Sequence, residues 1–345
     1  MWHFWLHPLR GLAALGVVFL HCYWTWTFFD ATAVRKLYLF VDFFFVLSGF
    51  VISSGYARRI GSGAELRVFF AQRFRRLSFQ YLLSGAVWLL AAWLTTDAAQ
   101  RAALPGQVLR YVLFVDVYFE SQPARINPVA WSVMAEFWVY GLFALVTLLL
   151  PSMRARLGLA VGVVIAGISV LASGWADLNL LYGPGALLRA LTGFFLGSFC
   201  WLALYGLERR DWCHAGVAAL TVGVVALVAA GYSADLLTLP VSAWVVVVFA
   251  GVAAPVSLQH AAQWRWLGDL SYPLYLWHFI LSVVAAKVLG RFWGLGEAVV
   301  HHGEKFISVP AGIGLAGCLA LVAVSVGWSA LMIRAERGFW KRMKR

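Results

Sequence analysis

Arg10 to His21 reads RGLAALGVVFLH, an apolar run closed at each end by an ionisable side chain. Eleven residues at 100° each bring Arg10 and His21 onto one helix face, separated by roughly 16 Å along the axis. With Arg10 at the headgroup boundary, His21 falls near the centre of a hydrocarbon layer about 30 Å thick. An imidazole at that depth needs a protein or water-filled surrounding, so it is either a functional group or a hydrogen-bonded link between helices.

The rest of the chain fits that setting. Of 345 residues, 62% are hydrophobic and 12% charged, and the mean hydropathy is +0.81, which excludes a soluble globular protein of ordinary composition. The first apolar run is of spanning length and carries Arg10 and His21, unlike a cleaved signal peptide. Cys22, Cys200, Cys213 and Cys318 have no pairing rhythm and read as small hydrophobes rather than as disulfides or metal ligands. The net charge of +12 sits at the ends of apolar runs, which speaks for a membrane and against nucleic acid.

Runs of about 20 apolar residues fall near 8–28, 37–57, 77–96, 129–150, 157–176, 185–206, 213–232, 236–256, 269–290 and 308–333. This predicts an all-α integral membrane protein with about ten transmembrane helices. Seventeen Lys and Arg lie in one set of connections and seven in the other, which makes both termini cytoplasmic by the positive-inside rule. Residues 64–77 put Leu66, Phe70, Phe74 and Leu77 on one helical face and much of the arginine on the other, the pattern of an interfacial helix. The long outer segment 97–128 is expected to fold back as an interfacial or re-entrant piece. Residues 1–345 are expected to form a single membrane domain with no soluble domain.

Several polar stripes interrupt the apolar runs. Ser132, Glu136 and Tyr140 recur every four residues on one face. A carboxylate at that depth needs a partner or a proton, and a histidine on a facing helix is the natural partner. Ser271, Tyr275, His278 and Ser282 form a second stripe, with His278 also near mid-membrane. Asp42 lies near the outer end of the second span, where solvation and function explain it equally well. Gly49 on that span would let a backbone or a ligand approach closely. Arg189, in the outer turns of the sixth span, reads as a snorkelling side chain. Arg73 and Arg76 share a face at the cytoplasmic entrance to the third span, where they serve topology or fork around phosphate oxygens. His301, His302 and Glu304 read as a solvated outer loop, so no metal site is expected.

In this order, PLRGLAALGVVFLH (8–21), VDFFFVLSGFVIS (41–53), FFAQRFRR (69–76), NPVAWSVMAEFWVY (127–140) and LGDLSYPLYLWHF (267–279) resemble the bacterial type-3 membrane acyltransferases. That family includes O-acetyltransferases of cell-envelope polysaccharides. Arg10 and His21 fit its basic residue, ten-residue gap and histidine, and Arg73 and Arg76 its paired arginines. The chain departs from it at His7-Pro8, where an acidic residue and glycine are common, and at Phe137-Trp138, where a glutamate and glutamine often follow Glu136. Residues 150–265 carry no matching motif.

The resemblance implies transfer of an acyl group, expected to be acetyl from a cytoplasmic acyl-CoA, to a hydroxyl of a saccharide or glycolipid at the outer face of a bacterial inner membrane. His21 is then general base or acyl carrier, with Glu136 orienting it. Arg10, Arg73 and Arg76 would hold the CoA phosphates, and Asp42, Ser48, Ser132, Tyr140, Tyr275 and His278 would line the site. No resident cofactor is expected, with acyl-CoA entering as a substrate. The rival reading is a proton-coupled transporter using His21 and Glu136 as a relay.

Overall fold

The computed structural model describes residues 4–27, 32–95, 97–119, 126–253, 262–293, 297–301, 304–308 and 310–343. Its long helices are α1 (Leu6–Thr25), α2 (Phe40–Tyr56), α3 (Gly63–Thr95), α4 (Ala98–Val112), α5 (Trp131–Leu149), α6 (Met153–Gly174), α7 (Gly183–Trp201), α8 (Arg210–Ala229), α9 (Thr238–Gly251), α10 (Ala262–Trp293) and α11 (Ala311–Arg342). Eight stretches, in α2, α3, α5 to α9 and α11, are long and apolar enough to cross a membrane, and Leu6–Cys22 in α1 is a shorter apolar helix. Of the other two, α4 has 15 residues and is too short to span, while α10 has 32, and its stripe of Ser271, Tyr275, His278 and Ser282 dilutes its hydropathy; leaving α4 aside, ten helices remain. These ten helices match the ten apolar runs.

Two features differ from the sequence reading. The amphipathic stretch 64–77 is not a separate element lying in the interface, because it forms the first turns of the 33-residue α3. No Gly or Pro interrupts residues 64–84, and a capping box fixes the start. The Glu65 amide donates to Ser62 Oγ (3.3 Å), while Glu65 Oε2 accepts from the Gly61 amide (2.8 Å). At 1.5 Å per residue α3 is about 50 Å long, so its arginine-rich first turns project beyond a hydrocarbon layer about 30 Å thick. The second difference is a small sheet, where β3 (Glu304–Ser308) pairs antiparallel with β2 (Glu297–His301) and parallel with β1 (Trp26–Thr27). It joins the end of α1 to the α10–α11 connection on the outer side. The side chains of His301, His302 and Glu304 lie outside the described residues, as does the end of the 8–28 run.

Helix α4 packs against α3, and the residues that follow it reach α5. Tyr111 stacks on Tyr81 at 4.2 Å, with Phe114 on the other side of Tyr81 at 4.3 Å, and the Trp138 indole donates to the Phe114 carbonyl (2.9 Å).

Helices α2 and α7 pack backbone to backbone. A Cβ added at Gly49 would lie 1.8 Å from the Phe194 carbonyl oxygen, and one at Gly197 1.8 Å from that of Val46. The close approach at Gly49 is therefore to protein, as small residues allow where lipid supplies no hydrophobic drive. Two turns outward, Arg189 does not snorkel. It is 1% exposed, and its Nε and Nη2 fork onto Asp42 Oδ1 and Oδ2, both at 2.7 Å. Arg156 is a second internal strut, donating to the carbonyls of Thr147 (2.6 Å), Leu150 (2.5 Å) and Ala57. Those carbonyls lie at the ends of α5 and α2, where helix termini lack internal partners and favour a cation.

Removing one partner of a buried ion pair strands a charge, typically at a cost of about 3–5 kcal/mol, whereas an apolar replacement of both is often tolerated. Asp42→Leu and Arg189→Met should each lower the Tm of the purified protein more than the double variant does. A double variant at least as unstable as the sum of the singles would show that the pair is not the unit.

Candidate active site

Arg10, Ser48, Arg73, Arg76, Ser132, Glu136, Tyr140 and Tyr275 line one cavity of about 430 Å³ bounded by α1, α2, α3, α5 and α10. The stripe read from α5 thus faces inward as one unit. Tyr140 donates to Glu136 Oε1 at 2.6 Å, and Ser48 Oγ lies 2.9 Å from the Tyr140 hydroxyl. With the Tyr140 proton committed to the carboxylate, Ser48 is the donor of that second bond. Further along α5, Ser132 donates to the Tyr275 hydroxyl (2.8 Å) across to α10.

The wall is strongly cationic. Glu136 is the sole carboxylate among the lining residues, and it forms no ion pair among the described residues. The Nε atoms of Arg10 and Arg73 are buried and have no hydrogen-bond partner. Other nitrogens anchor each guanidinium, with Arg10 Nη2 on the Gly268 carbonyl (3.0 Å) and Arg73 Nη2 on the Tyr56 hydroxyl (2.9 Å). Fixed arginines with unused donors have the chemistry to take an anion.

His21 and His278 are not on this wall. They face each other across α1 and α10, with His278 Nε2 3.0 Å from His21 Nδ1 and ring centroids 4.8 Å apart. Glu136, expected beside a histidine, bonds along its own helix instead. The two histidines meet because α1 and α10 run in parallel in close contact, fixed low down by Gly11, where a Cβ would lie 2.4 Å from the Leu267 carbonyl oxygen. Ten or eleven residues higher, the two imidazoles arrive at the same depth.

The backbone assigns their protons. His278 Nδ1 lies 3.1 Å from the Leu274 carbonyl and His21 Nδ1 2.9 Å from that of Val17. A carbonyl only accepts, so both Nδ1 atoms carry hydrogen. In the neutral pair His21 Nδ1–H is shared between Val17 and His278 Nε2, and His21 Nε2 is the basic nitrogen. Tyr275, whose ring centroid is 6.0 Å from that of His278, stands between the pair and the cavity.

Asp42 also lies off the cavity wall, bound to Arg189. His7, noted in the sequence only as a departure from the family pattern, lines the cavity, with Nε2 3.2 Å from Asp269 Oδ1. Tyr272, which lines it too, was missed because an aromatic residue in an apolar run carries no signal. Among the described residues no group of three His, Cys, Asp or Glu stands where it would hold a metal.

A family model for type-3 acyltransferases, described as an acyltransferase domain, matches residues 3–332. The chain belongs to this family. It is therefore an acyltransferase built as a multi-pass membrane protein, and the match includes residues 150–265, where no motif was legible. Membership sets the transporter reading aside. The acyltransferase is 31% identical over 300 residues to the exopolysaccharide production protein ExoZ of Rhizobium meliloti, covering 81% of this chain and 87% of the relative. It is 26% identical to a Komagataeibacter xylinus protein provisionally named a membrane-bound transacylase, BcsY, covering 81% and 73%. It is also 26% identical to a Bacillus subtilis protein provisionally named a peptidoglycan O-acetyltransferase, YrhL, covering 86% of this chain and only 51% of that relative. The acyltransferase thus spans about half the length of the Bacillus protein. No solved structure matches it.

Proposed function

We propose that the acyltransferase moves an acetyl group from cytoplasmic acetyl-CoA to a hydroxyl of a cell-envelope saccharide or glycolipid at the outer face of a bacterial inner membrane. The observation that carries this reading is the pair of buried, unpartnered arginine Nε atoms, of Arg10 and Arg73, in one cavity that reaches the Ser132–Tyr275 bond. Arg10, Arg73 and Arg76 hold the donor phosphates. Glu136 repels them, so they stop at the arginines while the uncharged pantetheine arm carries the thioester on towards Tyr275. The names of the relatives, which speak of exopolysaccharide and peptidoglycan, support a saccharide acceptor.

His21 acts as general base. Its Nε2 takes the acceptor hydroxyl proton as that oxygen bonds to the thioester carbonyl carbon. The C–S bond then breaks, and the thiolate leaves as CoA–SH with the proton returned from His21. His278 is a positioning residue, since its Nε2 accepts from His21 Nδ1–H and keeps the basic nitrogen on the far side of the ring. A neutral histidine thereby fills the orienting place that a carboxylate takes in a hydrolase triad.

His21→Ala should lower kcat by about 10²- to 10⁴-fold, the usual worth of a general base, while the protein stays monodisperse. His278→Phe should also lower kcat without changing the donor KM. His278→Gln, whose amide oxygen can accept from Nδ1–H, should recover part of the loss. Equal defects in the Phe and Gln variants would reduce His278 to packing. An acetylated intact protein after brief mixing with donor would make His21 an acyl carrier instead of a base.

Arg73→Ala and Arg76→Ala should chiefly raise the KM for acetyl-CoA, because phosphates remote from the reacting carbonyl bind equally in ground and transition states. Lysine at either position should rescue only partly, since charge returns without the fork. Unchanged donor affinity in both alanine variants would leave the arginines as topology signals.

Helical rise places Tyr275 about 4.5 Å closer to the cytoplasm than His278, so donor and acceptor meet at His21 from opposite sides of that ring. In oriented proteoliposomes with labelled acetyl-CoA on the Arg73 side and an impermeant saccharide outside, labelled product should appear outside. Product formed only when both substrates share the Arg73 side would place the acceptor on the cytoplasmic face.

A further inference from the structure

A second cavity, of about 460 Å³, lies on the cytoplasmic side among the projecting turns of α3, the start of α10 and the last turns of α11. Arg76 and Tyr272 line both this groove and the active-site cavity, so the two adjoin. The groove's carboxylates are occupied. Asp269 accepts from Arg337 (3.2 Å) and bonds His7 (3.2 Å), and Glu336 accepts from Gln80 (2.9 Å). Arg75, Arg76 and Lys341 also line it, and none of the three forms an ion pair among the described residues. The Arg75 guanidinium lies 4.8 Å over the Trp340 ring. The groove therefore combines an excess of cations with a flat aromatic and guanidinium surface, the pairing that takes a phosphorylated purine.

Resting on the acyl-CoA reading above, the geometry points to this groove as the seat of the donor's 3′-phosphorylated adenosine, with Lys341 and Arg75 at the phosphate and the purine on the Arg75–Trp340 surface. A donor with its thioester near Tyr275 and its diphosphate at Arg73 and Arg76 has its nucleotide as the next group towards the cytoplasm, and Arg76 is the basic residue both cavities share. Trp340 and Lys341 lie beyond residues 3–332, the stretch matched by the family model. The end of α11 thus adds a donor contact outside that match.

The same cations would also suit lipid phosphate headgroups, so the test is run in nanodiscs of zwitterionic lipid with the full chain. Initial rates are compared for acetyl-CoA and for S-acetyl-4′-phosphopantetheine, which lacks the nucleotide, and adenosine 3′,5′-bisphosphate is titrated as a competitor. Wild type should favour acetyl-CoA and be inhibited by the bisphosphate. Trp340→Ala and, as a milder surface change, Lys341→Gln should each raise the KM for acetyl-CoA by about tenfold, as loss of one charged or stacking contact does. They should leave the truncated donor unaffected and weaken bisphosphate inhibition in step. Equal effects on both donors, or none on either, would overturn the seat while leaving the donor reading intact. So would defects that appear only when anionic lipid is present. A wild type that uses neither thioester would overturn the donor reading itself, and the seat with it.

Discussion

The fork of Arg189 on Asp42 is closed to water on every side, and it fixes where α2 stands against α7. An arginine and an aspartate within the bundle have no solvent to fall back on, so each requires the other at hydrogen-bond distance. That requirement sets the depth at which the two helices meet. The glycines one to two turns further in, Gly49, Gly193 and Gly197, then let the backbones close. Because α2 is held in this way, Ser48 reaches Tyr140 on α5, and the outer wall of the cavity follows. Asp42 and Arg189 thus shape the site without lying on it.

Two hydrogen-bonded arrangements meet at Tyr275. On the cytoplasmic side Ser48, Tyr140 and Glu136 form a short chain on the cavity wall, with the arginines around its mouth. Beyond the ring, His21 and His278 form a neutral pair whose protons are assigned by helix carbonyls. Each arrangement is satisfied internally, which is what a low-dielectric surrounding demands of polar groups that are to keep a fixed geometry. The unused donors of Arg10 and Arg73 are the exception. On the proposed reading, their place at the mouth would separate the charged part of a donor from its reacting end, with positioning by phosphate and chemistry by imidazole at different depths of one path.

The family match establishes an acyltransferase, and the relatives' names divide between exopolysaccharide, peptidoglycan and an unspecified acyl transfer. That spread is physically reasonable for this architecture. On the proposed reading, the donor side is built from arginines, one fixed by a backbone carbonyl and one by a tyrosine, whereas an acceptor arriving beyond Tyr275 would meet side chains of the outer half of the bundle. Such a division allows one donor site to serve several acceptors, with specificity set by residues distant from the shared chemistry.

The all-helical, multi-pass architecture, the ten apolar runs and the family were legible in the sequence. Membrane helices declare themselves by local length and apolarity, loop arginines are counted one connection at a time, and the five motifs are contiguous stretches. The shared face of Ser132, Glu136 and Tyr140 followed from helical spacing alone, and so did that of Arg10 and His21. Which helices face one another was not legible, because that depends on packing between residues hundreds of positions apart. The sequence placed Glu136 with His21, snorkelled Arg189 and made residues 64–77 a separate interfacial helix. Close packing of α1 on α10 at Gly11 gave His21 to His278 instead. Asp42 claimed Arg189, a partner 147 residues away, and an unbroken run without Gly or Pro carried 64–77 straight into α3. Local periodicity fixes what each helix presents, and only the tertiary contacts, by matching depth and charge between helices, decide to what it is presented.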